Sequence, residues 1–106
     1  MGVDEQTVRE IVRRVLAVAR PDKIILFGSA GAGSMTRDSD IDLPIVEAAP
    51  GDQRQESVRI DSMLGGLGYP FDVVVISTEW FEASKNVIGG IAYPAQKYGK
   101  VIYEAA

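Results

Sequence analysis

Asp40-Ile41-Asp42-Leu43-Pro44-Ile45-Val46 alternates in character. In an extended chain successive side chains point to opposite faces. Ile41, Leu43 and Ile45 therefore share one face, and Asp40 and Asp42 share the other. The stretch reads as a strand with one face turned to a core and two carboxylates on the reverse. Pro44 lacks an N–H and predicts an unpaired position or a bulge there.

The neighbouring segments supply partners for this strand. Upstream, Lys23-Ile24-Ile25-Leu26-Phe27 is a short apolar run ended by Gly28-Ser29, a buried strand running into a tight turn. Residues 30 to 37 are small and polar and predict a loop or one helical turn. Earlier still, Val8, Ile11, Val12, Val15, Leu16 and Ala19 recur at helical spacing, which predicts a helix over residues 4 to 20. Asp4 caps it, Pro21 stops it, and Arg13 and Arg14 fall on its wet face.

Downstream, Pro50-Gly51 marks a linker, and residues 52 to 66 predict a helix with Val58, Ile60, Met63 and Leu64 as its apolar positions. Gly65, Gly66 and Gly68 end it. Phe71-Asp72-Val73-Val74-Val75-Ile76 is the strongest strand signal in the chain. Ser77 or Thr78 can cap a helix through Trp80, Phe81 and Ala83. A further helix over residues 87 to 98 is weakened by Gly89, Gly90 and Pro94, and Val101-Ile102-Tyr103 is a short apolar tail. The order is helix, strand, loop, strand, helix, strand, helix, tail. This is an α/β domain with three strands or slightly more. A helix joins the second and third strands, which predicts parallel neighbours in a right-handed crossover.

Composition narrows the chemistry. The 106 residues suit a single domain, 1–106, and 46% hydrophobic with 25% charged residues is ordinary for a folded one. The net charge is −4 and the longest basic run is Arg13-Arg14, which disfavours a nucleic-acid partner because counterion release needs a basic footprint. The chain has no Cys and no His, so disulfides, thiol chemistry, Cys/His zinc sites and a Ser-His-Asp triad are excluded. No apolar stretch is long enough to span a membrane, and the polar start does not resemble a signal peptide. The expected location is the cytoplasm.

Catalysis here must rest on carboxylates, hydroxyls, Lys or Arg. If the strands bearing Asp42 and Asp72 lie parallel and in register, Asp72 joins Asp40 and Asp42. Three close carboxylates repel one another unless a cation joins them, and magnesium takes hard oxygen ligands together with phosphate oxygens. Two such ions can activate a hydroxyl and stabilise a leaving pyrophosphate. Gly28 permits close backbone approach to a phosphate, and Ser29 adds a hydroxyl and an N–H. Each feature alone is ordinary. An Asp-x-Asp pair often serves a turn, Asp72 could face water on a half-exposed sheet, and many strands end in Gly-Ser.

Three better-known motifs fail. Gly28 and Gly33 have P-loop spacing, but Ser34-Met35 replaces Lys-Ser/Thr. Gly31-Ala32-Gly33 begins a dinucleotide fingerprint that needs a glycine where Thr36 stands. Asp38, Asp40 and Asp42 imitate an EF-hand loop, but Leu43 and Ala49 occupy its Gly and Glu positions.

Together the pieces are more specific. Phe27-Gly28-Ser29, ten intervening residues, Asp40-Ile41-Asp42-Leu43 and a later strand Asp72 resemble the nucleotidyltransferase fold of the DNA polymerase beta superfamily. The gap and the Ser39-to-Leu43 string look most like its minimal nucleotidyltransferase branch. The resemblance covers nearly the whole chain, including the Gly99-Lys100-Val101-Ile102-Tyr103 ending. It implies a palm-like α/β fold, a small mixed sheet flanked by helices. It implies that Gly28 and Ser29 bind the triphosphate, that Asp40 and Asp42 ligate two Mg2+ ions, and that Asp72 ligates the catalytic ion and helps deprotonate the attacking hydroxyl. The implied reaction moves a nucleoside monophosphate, AMP from ATP, to a hydroxyl. Small members are often antitoxins that adenylylate a tyrosine of a HEPN-domain toxin, so the resemblance also implies a HEPN partner.

Two residues depart from the family's pattern. Ala32 stands where an arginine is usual in the loop after the first strand, and Pro44 stands where an aliphatic residue is preferred. The first bears on nucleotide affinity and rate. Three readings follow, in order of support: an active nucleotidyltransferase; a catalytically weak or inactive nucleotide-binding antitoxin that neutralises its partner by contact; and an interaction domain with a chance acidic cluster. Homo- or hetero-oligomers are compatible with all three.

Overall fold

The computed structural model describes residues 4–26, 41–84 and 99–105. The strand predicted over residues 40 to 46 is β2 (Ile41–Glu47). Its neighbours are β1 (Lys23–Leu26) and β3 (Phe71–Ser77), and β4 (Lys100–Glu104) completes the sheet. The order across the sheet is β3-β2-β1-β4. β2 and β3 run parallel, while β1 is antiparallel to both β2 and β4. The parallel pair is thus as predicted. The apolar tail is a fourth strand, because its alternating residues find a free edge on β1.

Helix α1 (Glu5–Val18) begins at Asp4, whose carboxylate accepts from the Thr7 N–H at 2.7 Å. Its apolar stripe buries Ile11 and Val15 fully. Arg13 lies on the wet face, but Arg14 does not. It is half-buried and donates to the Met63 and Gly65 carbonyls at 3.2 and 2.9 Å. Those carbonyls end the next helix and need donors, so Arg14 ties the two helices together.

That helix, α2 (Gln53–Met63), inverts part of the sequence reading. Val58 is 64% exposed, whereas Glu56 is buried with Ile60 and Leu64. Residues 56, 60 and 64 lie on one helical stripe, and Val58 sits two positions from both Glu56 and Ile60, on the other side. Gly66 and Gly68 then take positive φ, 87° and 89°, to turn the chain toward β3. From α2, Ser57 Oγ accepts the Val75 N–H of edge strand β3 at 3.3 Å, which helps block that edge.

The two faces of the sheet are covered unequally. One packs Ile24, Leu26, Ile41, Leu43, Ile45 and Val75 under α1 and α2. On the other, Ile25, Val46 and Ile76 meet Phe81 of α3 (Thr78–Ser84). Ser77 caps α3 by accepting the Trp80 N–H at 3.0 Å. Thr78 donates its hydroxyl proton to Asp22 just before β1, anchoring this short helix.

Pro44 causes no bulge in β2. Pairing with β3 runs straight through it, Pro44 opposite Val74. N–H groups alternate sides along a strand, and the Ile41 N–H points to β3, where it bonds the Pro70 carbonyl at 2.9 Å. The position without an N–H at Pro44 therefore faces β1. The paired residues of β1 and β2 are Lys23–Val46 and Ile24–Ile45, just short of Pro44. The irregularity lies in β1, whose register with β4 shifts between Ile24 and Ile25.

Candidate active site

Asp42 and Asp72 are direct partners on the parallel ladder of β2 and β3. Neighbouring strands lie about 4.8 Å apart, so both side chains rise from one rung on one face. It is the face on which Val46 and Ile76 meet Phe81. Along β2 that face runs Asp42, Pro44, Val46, and along β3 it runs Asp72, Val74, Ile76, from two acids to an apolar patch under α3. Asp72 is exposed and Asp42 half-buried, so a solvated ion or phosphate can reach them.

The sequence places the acids here for a simple reason. Each sits at the second position of its strand, and the helical crossover through α2 starts β3 level with β2. The register of the antiparallel pair brings the end of β1 toward this same end of the sheet. Gly28, Ser29 and Asp40 lie outside the described residues. Among the described residues, no three acid side chains form a group able to hold a metal. The rung supplies two carboxylates of the predicted three, and Asp40 directly precedes β2 in the chain.

A model of the nucleotidyltransferase domain matches residues 5–97. The chain belongs to the nucleotidyltransferase domain family. A solved structure described as a toxin-antitoxin with AMP-PNP superposes on this nucleotidyltransferase domain with a TM-score of 0.67. The two are 20% identical, and the match covers 92% of this chain and 73% of the other. That likeness shows the fold, the mixed sheet with flanking helices. No curated protein matched the sequence. No described helix of the domain is long and apolar enough to cross a membrane.

One carboxylate escaped the sequence reading. Glu47 ends β2 on the core face with Ile41, Leu43 and Ile45, and is only 6% exposed. Its Oε2 is buried and has no hydrogen-bond partner. Burial pushes its carboxyl above the usual value; nearby Arg59 opposes this and Asp22 adds to it. The signal was available in the alternation, which assigns residue 47 to the apolar face.

Proposed function

We propose that this domain transfers a nucleoside monophosphate, AMP from ATP, to a hydroxyl group, with Asp40, Asp42 and Asp72 as the catalytic carboxylates. The observation that carries the reading is the shared rung of Asp42 and Asp72, together with the family. Two carboxylates on one rung, open to solvent, suit a hard cation better than they suit a core.

In this reading Asp40, Asp42 and Asp72 hold two Mg2+ ions, which neutralise phosphate charge and lower the pKa of a bound hydroxyl when present. The residues of the chain do the positioning. Gly28 and Ser29 receive the triphosphate through backbone N–H groups and a hydroxyl. Asp72 accepts the proton of the attacking hydroxyl. The hydroxyl oxygen bonds to the α-phosphorus, the bond from that phosphorus to the β-bridging oxygen breaks, and pyrophosphate leaves. The AMP-PNP of the similar toxin-antitoxin structure supports a nucleotide substrate and a protein partner. The proposed acceptor is a tyrosine hydroxyl on a HEPN-domain toxin, which makes the chain an antitoxin.

The test is transfer of labelled AMP to a co-expressed HEPN protein with and without magnesium. Transfer that needs magnesium and disappears in Asp42→Asn supports the reading. Neutralisation of the toxin by Asp42→Asn without any transfer by the unmodified chain would favour a contact-only antitoxin, a role consistent with the missing loop arginine at Ala32.

A further inference from the structure

Strand β3 is an edge of the sheet, with β2 on one side and no described strand on the other. Its backbone groups alternate between the two sides. The Pro70 carbonyl bonds the Ile41 N–H, so residues 70, 72, 74 and 76 address β2. Phe71, Val73 and Val75 therefore address the outer side, where Ser57 Oγ accepts the Val75 N–H. Among the described residues, no partner takes the outward N–H and C=O groups of Phe71 and Val73. The edge is thus capped at Val75 and open on either side of Asp72.

A groove of about 230 Å³ follows this open stretch, between Ser57, Val58 and Asp61 of α2 and Phe71, Asp72 and Val73 of β3. Val58 is an exposed apolar side chain that the core does not use. Asp61 is exposed, and its carboxylate has no basic partner among the described residues. The described lining holds two acids and no base, since Arg54 lies one helical turn back from Val58, outside the groove. Ser57 lies against Val75 and α2 leads back toward the start of β3, so Val58 lies toward Val73 and Asp61 toward Phe71.

Unpaired main-chain groups at a sheet edge are matched by an extended backbone, which adds as a strand and sends alternate side chains to opposite faces. On one face those side chains meet the groove. On the other they stand level with Asp72. We propose that the open edge of β3 receives an extended segment of the acceptor protein as an added strand. Its hydroxyl-bearing residue stands on the Asp72 face, and the two residues beside it enter the groove, an apolar one at Val58 and a lysine or arginine at Asp61. The role of the hydroxyl rests on the nucleotidyl-transfer reading. In that transfer the attacking and leaving oxygens lie roughly in line. Gly28 and Ser29 follow β1, which lies across β2 from β3. Pyrophosphate held by them departs on the β1 side, so the hydroxyl arrives from the β3 side.

The experiment is an NMR titration of the full chain with blocked Ala-Lys-Tyr-Val-Ala and with the reversed Ala-Val-Tyr-Lys-Ala, which suit parallel and antiparallel addition. One of them is expected to shift the amides of residues 58, 61, 71 and 73 saturably. N-methylation of its three central residues, which blocks main-chain pairing, should weaken binding about tenfold, as should Asp61→Lys. Val58→Asp, also at an exposed position, should weaken it too. In both variants calorimetry with ATP and magnesium should give the parent affinity, while KM for a HEPN acceptor protein rises with little change in kcat. Absence of saturable shifts along β3, equal binding of the N-methylated peptide, or parent KM in both variants would overturn the proposal. A chain that binds the peptide at this edge yet transfers no AMP would support the docking site and overturn the transfer reading.

Discussion

The two ends of β2 carry acids in opposite circumstances. Asp42 stands beside Asp72 on a rung open to solvent, and Glu47 lies under α1 and α2 with a bare oxygen. They are five positions apart, an odd number, so strand alternation puts them on opposite faces. The residue types differ little; the face decides. A carboxylate on the open face can be neutralised by ions and water, while one on the packed face must find a donor in the protein or its ligand. At the Asp42 end, charge is solvated at little cost. At the Glu47 end, it is a cost that the fold tolerates.

The strongest way to break this comparison is at the open end. Asp42→Asn or Asp72→Asn is expected to lower nucleotidyl transfer about 10²–10³-fold. Asp72→Asn should not shift the thermal midpoint much, since Asp72 is exposed and changes at such positions usually stay within about 0.5 kcal/mol. Parallel transfer assays and thermal melts check both halves. A large stability loss with intact transfer would mean that the rung is structural.

Between the two ends, Ile45→Ala removes a fully buried side chain on the packed face. Denaturant titration should show a loss of about 2–5 kcal/mol. Transfer at temperatures where the variant stays folded should change far less than in the Asp variants.

At the packed end, Glu47→Gln should stabilise the chain by about 1 kcal/mol at pH 7, the scale of one unmade hydrogen bond. The sign follows from linkage. The folded-state value of Glu47 is raised above its ordinary 4.5, so the ionised carboxyl disfavours folding. The cost grows as pH rises through the unfolded and then the folded value. The advantage of Gln should therefore vanish as pH falls below 4.5, which melts across that range will show.

Glu10 provides the smallest effect and the opposite sign. Hydrogen bonds from Arg13 and Arg14 hold its carboxyl down at about 2, so it stabilises the fold above 4.5 and loses that effect as pH falls toward 2. Glu10→Gln should lower the midpoint slightly at pH 7 and progressively less as pH falls through about 2. The Arg13 arm of this network is open to solvent, where ion pairs contribute little.

Much of the site was legible because strands are read by alternation alone. Asp42 on the face opposite Ile41, Leu43 and Ile45, and Asp72 inside an apolar run, follow from residue order, while Asp40 lies outside the described residues. The inward turn of Glu56 was not legible. A hydrophobic reading of α2 favours Val58, but packing chose the stripe through Glu56, Ile60 and Leu64, since Ile60 and Leu64 bury more apolar surface together. The reach of Arg14 was hidden for a similar reason. It answers carbonyls at the end of α2, nearly fifty residues away in the chain.

Residue order by itself determined the types of the described helices and of β1, β2 and β3, the faces of those strands and the residue classes available for chemistry, because backbone periodicity and composition are local properties; the helix expected over residues 87 to 98 lies outside the described residues. Tertiary structure alone decided that Asp42 stands level with Asp72, that the tail joins the sheet, and that Glu47 is buried with its Oε2 lacking a hydrogen bond. Those outcomes depend on which strand lies beside which, and in what register. Register is settled by long-range packing of the shared core, and a shift of one residue would have moved either acid to the opposite face.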